Sequence, residues 1–297
     1  MNGKTAMISS THFAVVQLCS TADVSANNAA IAEAIAEGAA HGAQIVCFPE
    51  AANLLLRDNL RYPAVCVPEA DDSTLALCRS AARRAKVWVH TGSLLVRTED
   101  GLRVWNRSHL VSPEGEVVAR YDKLHTFDVE LGGAGTFQES AAVRPGENGP
   151  TLVGIDALGL TLGMSICYDL RFPHLYRGLA QAGANVLMAP SSFSVVTGPL
   201  HWETLLKARA IETGSYVVAA AQCGERDGVR VYGHSRVISP FGEVIAAAGD
   251  TPAIIYADID PERVRQTRVR LPSLTRGRAL GEIRHIQVPA AAPGALP

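Results

Sequence analysis

The chain has 297 residues, 47% of them hydrophobic and 19% charged, with a formal net charge of −2 and a pI of about 6.5. This is enough apolar material for a large core, and the balance excludes the basic footprint of a nucleic-acid binder. No apolar run reaches membrane-spanning length. Met1–Thr11 lacks the apolar centre of an export signal, so no membrane association is expected and the location expected is cytoplasmic.

His12–Leu18 reads as a strand. Ser25–Ala40 is Ala-rich, with Ile31 and Ile35 four apart, as in a helix burying one face; Gly42 ends it and Gln44–Phe48 is a buried strand. Thr74–Lys86 is a second helix, and Val87–Val96 and Val104–Val111 are strands. Tyr121–Glu147 shows little periodicity and reads as a long loop, of the kind that often carries function. Beyond it come a strand at Leu160–Ile166, a helix at Pro173–Gln181, a strand at Asn185–Ala189, a helix at His201–Glu212 and a strand at Tyr216–Ala221. The chain after Pro272 reads as an extended tail. Residues 1–297 are expected to form one domain, with a short extension at 1–10 and a tail from about 275 to 297.

Two stretches echo each other. His41–Glu50 (HGAQIVCFPE) resembles Ala182–Ser191 (AGANVLMAPS), and Val111–Ala119 (VSPEGEVVA) resembles Ile238–Ala246 (ISPFGEVIA). The first pair reads as helix end, Gly-Ala corner, buried strand and proline stop. The second carries Pro-x-Gly between strands, as a tight hairpin would. The alternation of helices and strands gives an α/β class. Two related halves in the same order predict a four-layer α-β-β-α sandwich.

Six cysteines occur, with no CxxC pair and no zinc spacing. They read as reduced thiols, mostly inert in the core as Cys47 is within Ile45–Phe48. Cys167 differs. An apolar strand runs into it, followed by a polar turn and a helix, Gly163–Pro173 (GMSICYDLRFP). Such a corner exposes a thiol beside backbone N–H groups able to stabilise an oxyanion; the alternative is a buried structural cysteine. Its base could be one of His125, His174, His201 and His234, though none stands in a protease-like context. Glu50 follows a buried strand and a proline, where α/β sheets place their sites. Lys123 follows a strand and opens the long loop. Taken singly, Glu50 and Lys123 also fit ordinary surface charge. No HExxH or histidine cluster indicates zinc, and Gly132–Gly135 lacks the Gly-Lys-Ser/Thr of a phosphate loop.

Phe48-Pro49-Glu50, Tyr121–His125 (YDKLH) and Cys167–Pro173 (CYDLRFP), in that order, resemble the nitrilase (carbon–nitrogen hydrolase) superfamily, from about His12 to about Leu274. The resemblance implies the α-β-β-α sandwich, no metal or organic cofactor, and a homodimer or larger assembly. It implies Cys167 as nucleophile, Glu50 as proton carrier and Lys123 with a backbone N–H as oxyanion stabilisers. Glu139, in Phe137–Ser140, would orient Lys123 or the substrate, with Glu130 as the nearer alternative. Tyr168, Arg171, Ser192 and Thr197 would contact substrate.

Thr197–Glu203, Lys207–Glu212 and Val217–Gly224 resemble the amidase branch near deaminated-glutathione amidase and omega-amidase, whose substrates carry a carboxylate distant from the amide. Ser194 and Leu200 depart from both patterns. Hydrolysis of a small carboxylate-bearing amide to acid plus ammonia through a thioester is expected. N-carbamoyl amino acid or simple amide hydrolysis is the alternative within the superfamily, and a non-catalytic binding protein the alternative outside it. Arg171 is expected either to grip the carboxylate with two parallel bonds or to form a salt bridge under the turn. His201 and Trp202 either line the pocket or pack.

Overall fold

The computed structural model describes residues 10–131, 135–226 and 228–287. Residues 1–9, most of the Gly132–Gly135 segment, Asp227 and residues 288–297 lie outside it. The strand Thr11–Gln17 lies antiparallel to Ala253–Ile259 and parallel to Ile45–Cys47. Trp88–His90 and Val104–Val111 follow in the same sheet. Val104–Val111 also pairs with Leu94–Arg97, Val117–Asp122 and Val143–Arg144. The second sheet runs Leu152–Ile155, Leu160–Gly163, Val186–Met188, Tyr216–Ala219, Arg236–Ile238, Val244–Ala247.

Alternation along the first sheet sets the layers. Phe13, Val15, Ile45 and Cys47 face the second sheet and join its core with Leu162, Val186 and Met188. Ala14, Val16 and Val46 point the other way, onto Ile31 and Ile35 of the helix Val24–Ala40 and Leu75 and Cys78 of the helix Ser73–Ala85. The second sheet carries the helices Pro173–Gln181 and Gly198–Thr213 through Tyr176, Leu179, Trp202 and Leu206. The order is helix, sheet, sheet, helix, as expected.

The echoes are real repeats of local structure. The His12 N–H donates to the Gln44 side chain as Thr161 N–H does to Asn185, and Gln44 N–H returns to His12 as Asn185 N–H does to Thr161. Both hairpins close from Gly N–H to Ser carbonyl, Gly115 to Ser112 and Gly242 to Ser239, and a bulge precedes each. The two halves exchange one element: the last strand, Ala253–Ile259, completes the first sheet rather than the second.

Two expectations change. The 121–147 stretch is not a plain loop. It contains a hairpin, Asp128–Glu130 with Thr136–Gln138, a turn at Glu139–Ala141 and the strand Val143–Arg144. These pieces are too short to show a period. Val87–Val96 is two strands, Trp88–His90 and Leu94–Arg97, because Gly92 turns the chain at φ +68°. The helix Pro261–Arg270 has no apolar stripe legible in the sequence, since five of its ten residues are charged and it buries only Val264 and Thr267. After Pro272–Leu274, residues 275–287 have no helix or strand and are exposed.

Gly92 also sets how closely the strand end bearing Glu50 is approached. A Cβ there would lie 2.0 Å from the Pro49 carbonyl oxygen. Gly92→Ala therefore combines a left-handed φ with a backbone clash, and we expect a loss of about 2–4 kcal/mol. Denaturant unfolding reads this directly; an unchanged midpoint would show that the turn relaxes freely.

Candidate active site

The site is assembled at the seam between the two halves. Glu50 stands two residues past Phe48, whose N–H still bonds to His90 of the neighbouring strand. Lys123 comes directly off the strand Val117–Asp122, with its N–H on the Asn106 carbonyl. Cys167 begins a 3-10 turn after the first parallel strand of the second sheet, and its N–H bonds to the Pro190 carbonyl. Its φ is +48°, a left-handed value that an L-residue holds only when its surroundings impose it.

The Lys123 ammonium donates to Glu50 at 2.8 Å and to both oxygens of Glu139 at 2.9 and 2.8 Å. Its side chain is 2% exposed and that of Glu50 7%. Asn106 Nδ2 donates to Glu50 at 2.9 Å, and the Ser192 N–H donates to its other oxygen at 2.8 Å. The Phe127 N–H donates to Glu139. Glu130, by contrast, is exposed on the hairpin, so Glu139 is the second glutamate that meets the lysine.

Burial alone would raise Glu50, but the Lys123 charge and the hydrogen bonds it accepts hold it below its ordinary value. Burial would lower Lys123, yet the charges of Glu139 and Glu50 push it well up. Glu139 is raised, by burial and by the Glu50 charge, against the pull of Lys123. Burial and the neighbouring Glu50 push the Cys167 thiol well up. The resting pair is therefore a neutral thiol hydrogen-bonded to an ionised carboxylate, with an ammonium beside both. This arrangement suits acyl transfer: a carboxylate so placed can take a thiol proton, and an ammonium beside it can meet a developing oxyanion.

A cavity of about 620 Å³ opens over these groups, lined by Glu50, Lys123, Glu139, Cys167, Tyr168, Arg171, Ser192 and Thr197 among others. All eight residues singled out in the sequence converge there, although two meet it differently from the expectation. Ser192 holds Glu50 through its backbone, and the Thr197 hydroxyl accepts from Arg171 at 3.3 Å. Arg171 also donates to His201 Nδ1 at 3.1 Å and lies over the rings of Tyr168 and Phe193. It has no acidic partner among the described residues, so the salt-bridge alternative fails. Arg209 is the structural arginine, donating to the Leu170 carbonyl and to Glu212. Trp202 is buried, packs on Phe193 and donates to the His234 carbonyl. His201 stands behind Arg171. No histidine is among the lining residues, which removes the Cys–His pairing.

Two functional neighbours were missed in the sequence. Asn106 lies in the middle of a buried strand, where a polar residue was the available signal. Asp169, fully buried, accepts from Ile166 N–H at 2.9 Å, Tyr121 hydroxyl at 2.7 Å and His125 N–H at 3.0 Å, and pairs with His125 Nδ1 at 2.6 Å. It ties the cysteine turn to the segment bearing Lys123. Among the described residues no His/Cys/Asp/Glu group is arranged to hold a metal, and no helix is long and apolar enough to cross a membrane.

Residues 13–269 match the carbon–nitrogen hydrolase family. The chain belongs to that family. It is 40% identical over 263 residues to human deaminated glutathione amidase, covering 87% of this chain and 80% of that one. It is 34% identical over 278 residues to human omega-amidase NIT2, covering 92% and 96%. The crystal structure of the C. elegans NitFhit protein superposes with a TM-score of 0.84 at 34% identity, covering 91% of this chain and 65% of that larger one. The activity is therefore that of a carbon–nitrogen hydrolase of amidase type.

As the pH falls, Glu139 takes a proton before Glu50, because one is held above and the other below the ordinary carboxylate value. We expect an acid limb in kcat/KM above the ordinary Glu value of about 4.3. Glu139→Gln should lower kcat/KM by about 10²-fold and move the limb down. A pH–rate profile whose limb stays in place in the variant rejects Glu139 as its source.

Proposed function

We propose that Cys167 attacks the carbonyl of a small, carboxylate-bearing amide and forms a thioester that water then hydrolyses. Glu50 takes the thiol proton and delivers a proton to the leaving nitrogen. In the second half-reaction Glu50 deprotonates the attacking water. Lys123 and the N–H of Tyr168 stabilise the tetrahedral oxyanion in both steps. Glu139 holds Lys123, and Arg171 takes the substrate carboxylate. The observation that carries this reading is the Lys123 ammonium bonded to both Glu50 and Glu139 on the wall of the cavity that Cys167 enters.

Deaminated glutathione is the preferred substrate of this reading, supported by the relatives' names and by an unpaired arginine in the cleft. Its scissile amide carries a dipeptide, so the group expelled is a peptide amine and not the ammonia expected from the sequence; only a primary omega-amide would expel ammonia. An omega-amide of a keto acid is the second candidate. The protein is further proposed to work in the cytoplasm as a homodimer or larger assembly. Exposed Leu200, Ile211 and Phe241, with Ile211 against the Gly242 turn, offer an apolar face for a second copy.

Cys167→Ala should remain folded and lose about 10⁴-fold or more in turnover; full turnover would remove Cys167 as nucleophile. Arg171→Ala should raise KM about tenfold or more for carboxylate-bearing amides and far less for neutral ones. Equal changes on both would end the carboxylate-gripping role.

A further inference from the structure

The groups lining the cleft do not share the charge of the chain. Its lining includes two carboxylates, Glu50 and Glu139, and four cations, Lys123, Arg171, Arg57 and Arg230. With the thiol neutral, the cleft carries a formal +2 in a protein of net −2. Glu50, Glu139 and Lys123 satisfy one another, leaving three guanidiniums. Arg171 is held by an imidazole nitrogen and a hydroxyl, with no carboxylate partner among the described residues. Arg57 and Arg230 make no ion pair and no side-chain hydrogen bond among the described residues. Both are exposed at the mouth, one on the segment after Leu56 and the other on the strand Val229–Tyr232. They belong to opposite halves of the fold. Arg57 reaches across to the tip of the second half's hairpin, where a Cβ on Gly228 would lie 3.2 Å from its Cδ.

We propose that Arg57 and Arg230 form a second anion subsite, which takes a carboxylate on the amine side of the scissile amide while Arg171 takes the one on the acyl side. The substrate class is then a dianionic amide with a carboxylate at each end, and the two mouth arginines are its specificity determinants. A cavity of about 620 Å³ is larger than a short keto-acid amide requires, and two negative charges match the surplus charge of the lining. A like-signed field of this kind concentrates anionic ligands and is screened by salt. The inference rests on the reading of Cys167 as an amide-cleaving nucleophile.

The test compares deaminated glutathione with its C-terminal carboxamide, which keeps every atom of the acyl group and loses the distal charge. The unmodified enzyme should favour the acid in kcat/KM by about fivefold at low ionic strength, the upper effect of a charge-assisted contact at an exposed site. That preference should shrink at 0.5 M salt. The double variant Arg57→Gln/Arg230→Gln should bring the ratio to about one, whereas Arg171→Ala should leave it in place. An unmodified enzyme that hydrolyses both without preference overturns the subsite and spares the amidase reading, as does a double variant that keeps the preference. Hydrolysis of neither compound, nor of any primary amide, overturns the amidase reading and the subsite with it.

Discussion

A lysine with almost no solvent contact sits between two carboxylates and next to a thiol. Removing these charges from water costs several kcal/mol per ion, and their attraction offsets it only if the remaining lone pairs are also satisfied. Here they are. Glu50 receives Lys123, Asn106 and the Ser192 N–H, and Glu139 receives Lys123 and the Phe127 N–H. Withdrawing Lys123 leaves two buried carboxylates without a counter-charge, and withdrawing either carboxylate removes one of the two groups that hold the ammonium. The strand ends, the hairpin base and the second half's loop therefore have to hold their places together.

The duplicated architecture provides those places. Glu50 and Ser191 stand at equivalent positions in the two halves, each just past a proline that stops a buried parallel strand. The residue after Ser191 donates its N–H to Glu50, so the echo in the sequence becomes a contact across the seam. Gln222 strengthens the same seam by donating to the Glu50 carbonyl and to Ser20. Asp169 performs the corresponding service for the nucleophile. Its four contacts bind the strained Cys167 turn to Tyr121 and His125, which flank Lys123, so sulfur and ammonium are positioned by one buried carboxylate.

Paired and unpaired charges are separated in space. The charged set at the floor is internally neutralised apart from one negative charge, which is what a carboxylate base facing a neutral thiol requires. The arginines above it have no acidic partner among the described residues. Arg171 is kept in place by a hydroxyl, an imidazole nitrogen and two aromatic rings, a set that orients a guanidinium without consuming its charge. A cleft of this design fits the proposed division, with the reaction at the floor and recognition of anionic amides at the walls and mouth.

The sequence by itself determined the layers, because strand-length apolar runs and helical periodicity depend on neighbours near in the chain, and because the two echoes kept their turn chemistry. It also pointed to Glu50, Lys123, Cys167 and Glu139 through short motifs whose order and spacing resemble one family. It did not determine the hairpin inside 121–147 or the break at Gly92, where a few residues are too short for a period and a close backbone approach decides the turn. Nor did it reveal Asn106 and Asp169, whose partners lie 56 and 48 residues away. Whether Arg171 was a salt bridge or a free cation could be decided only in three dimensions, since charge pairing depends on which acids fold next to it. The sequence named the candidate reacting groups; the tertiary structure decided which charges are spent on one another and which face the cleft without a counter-charge.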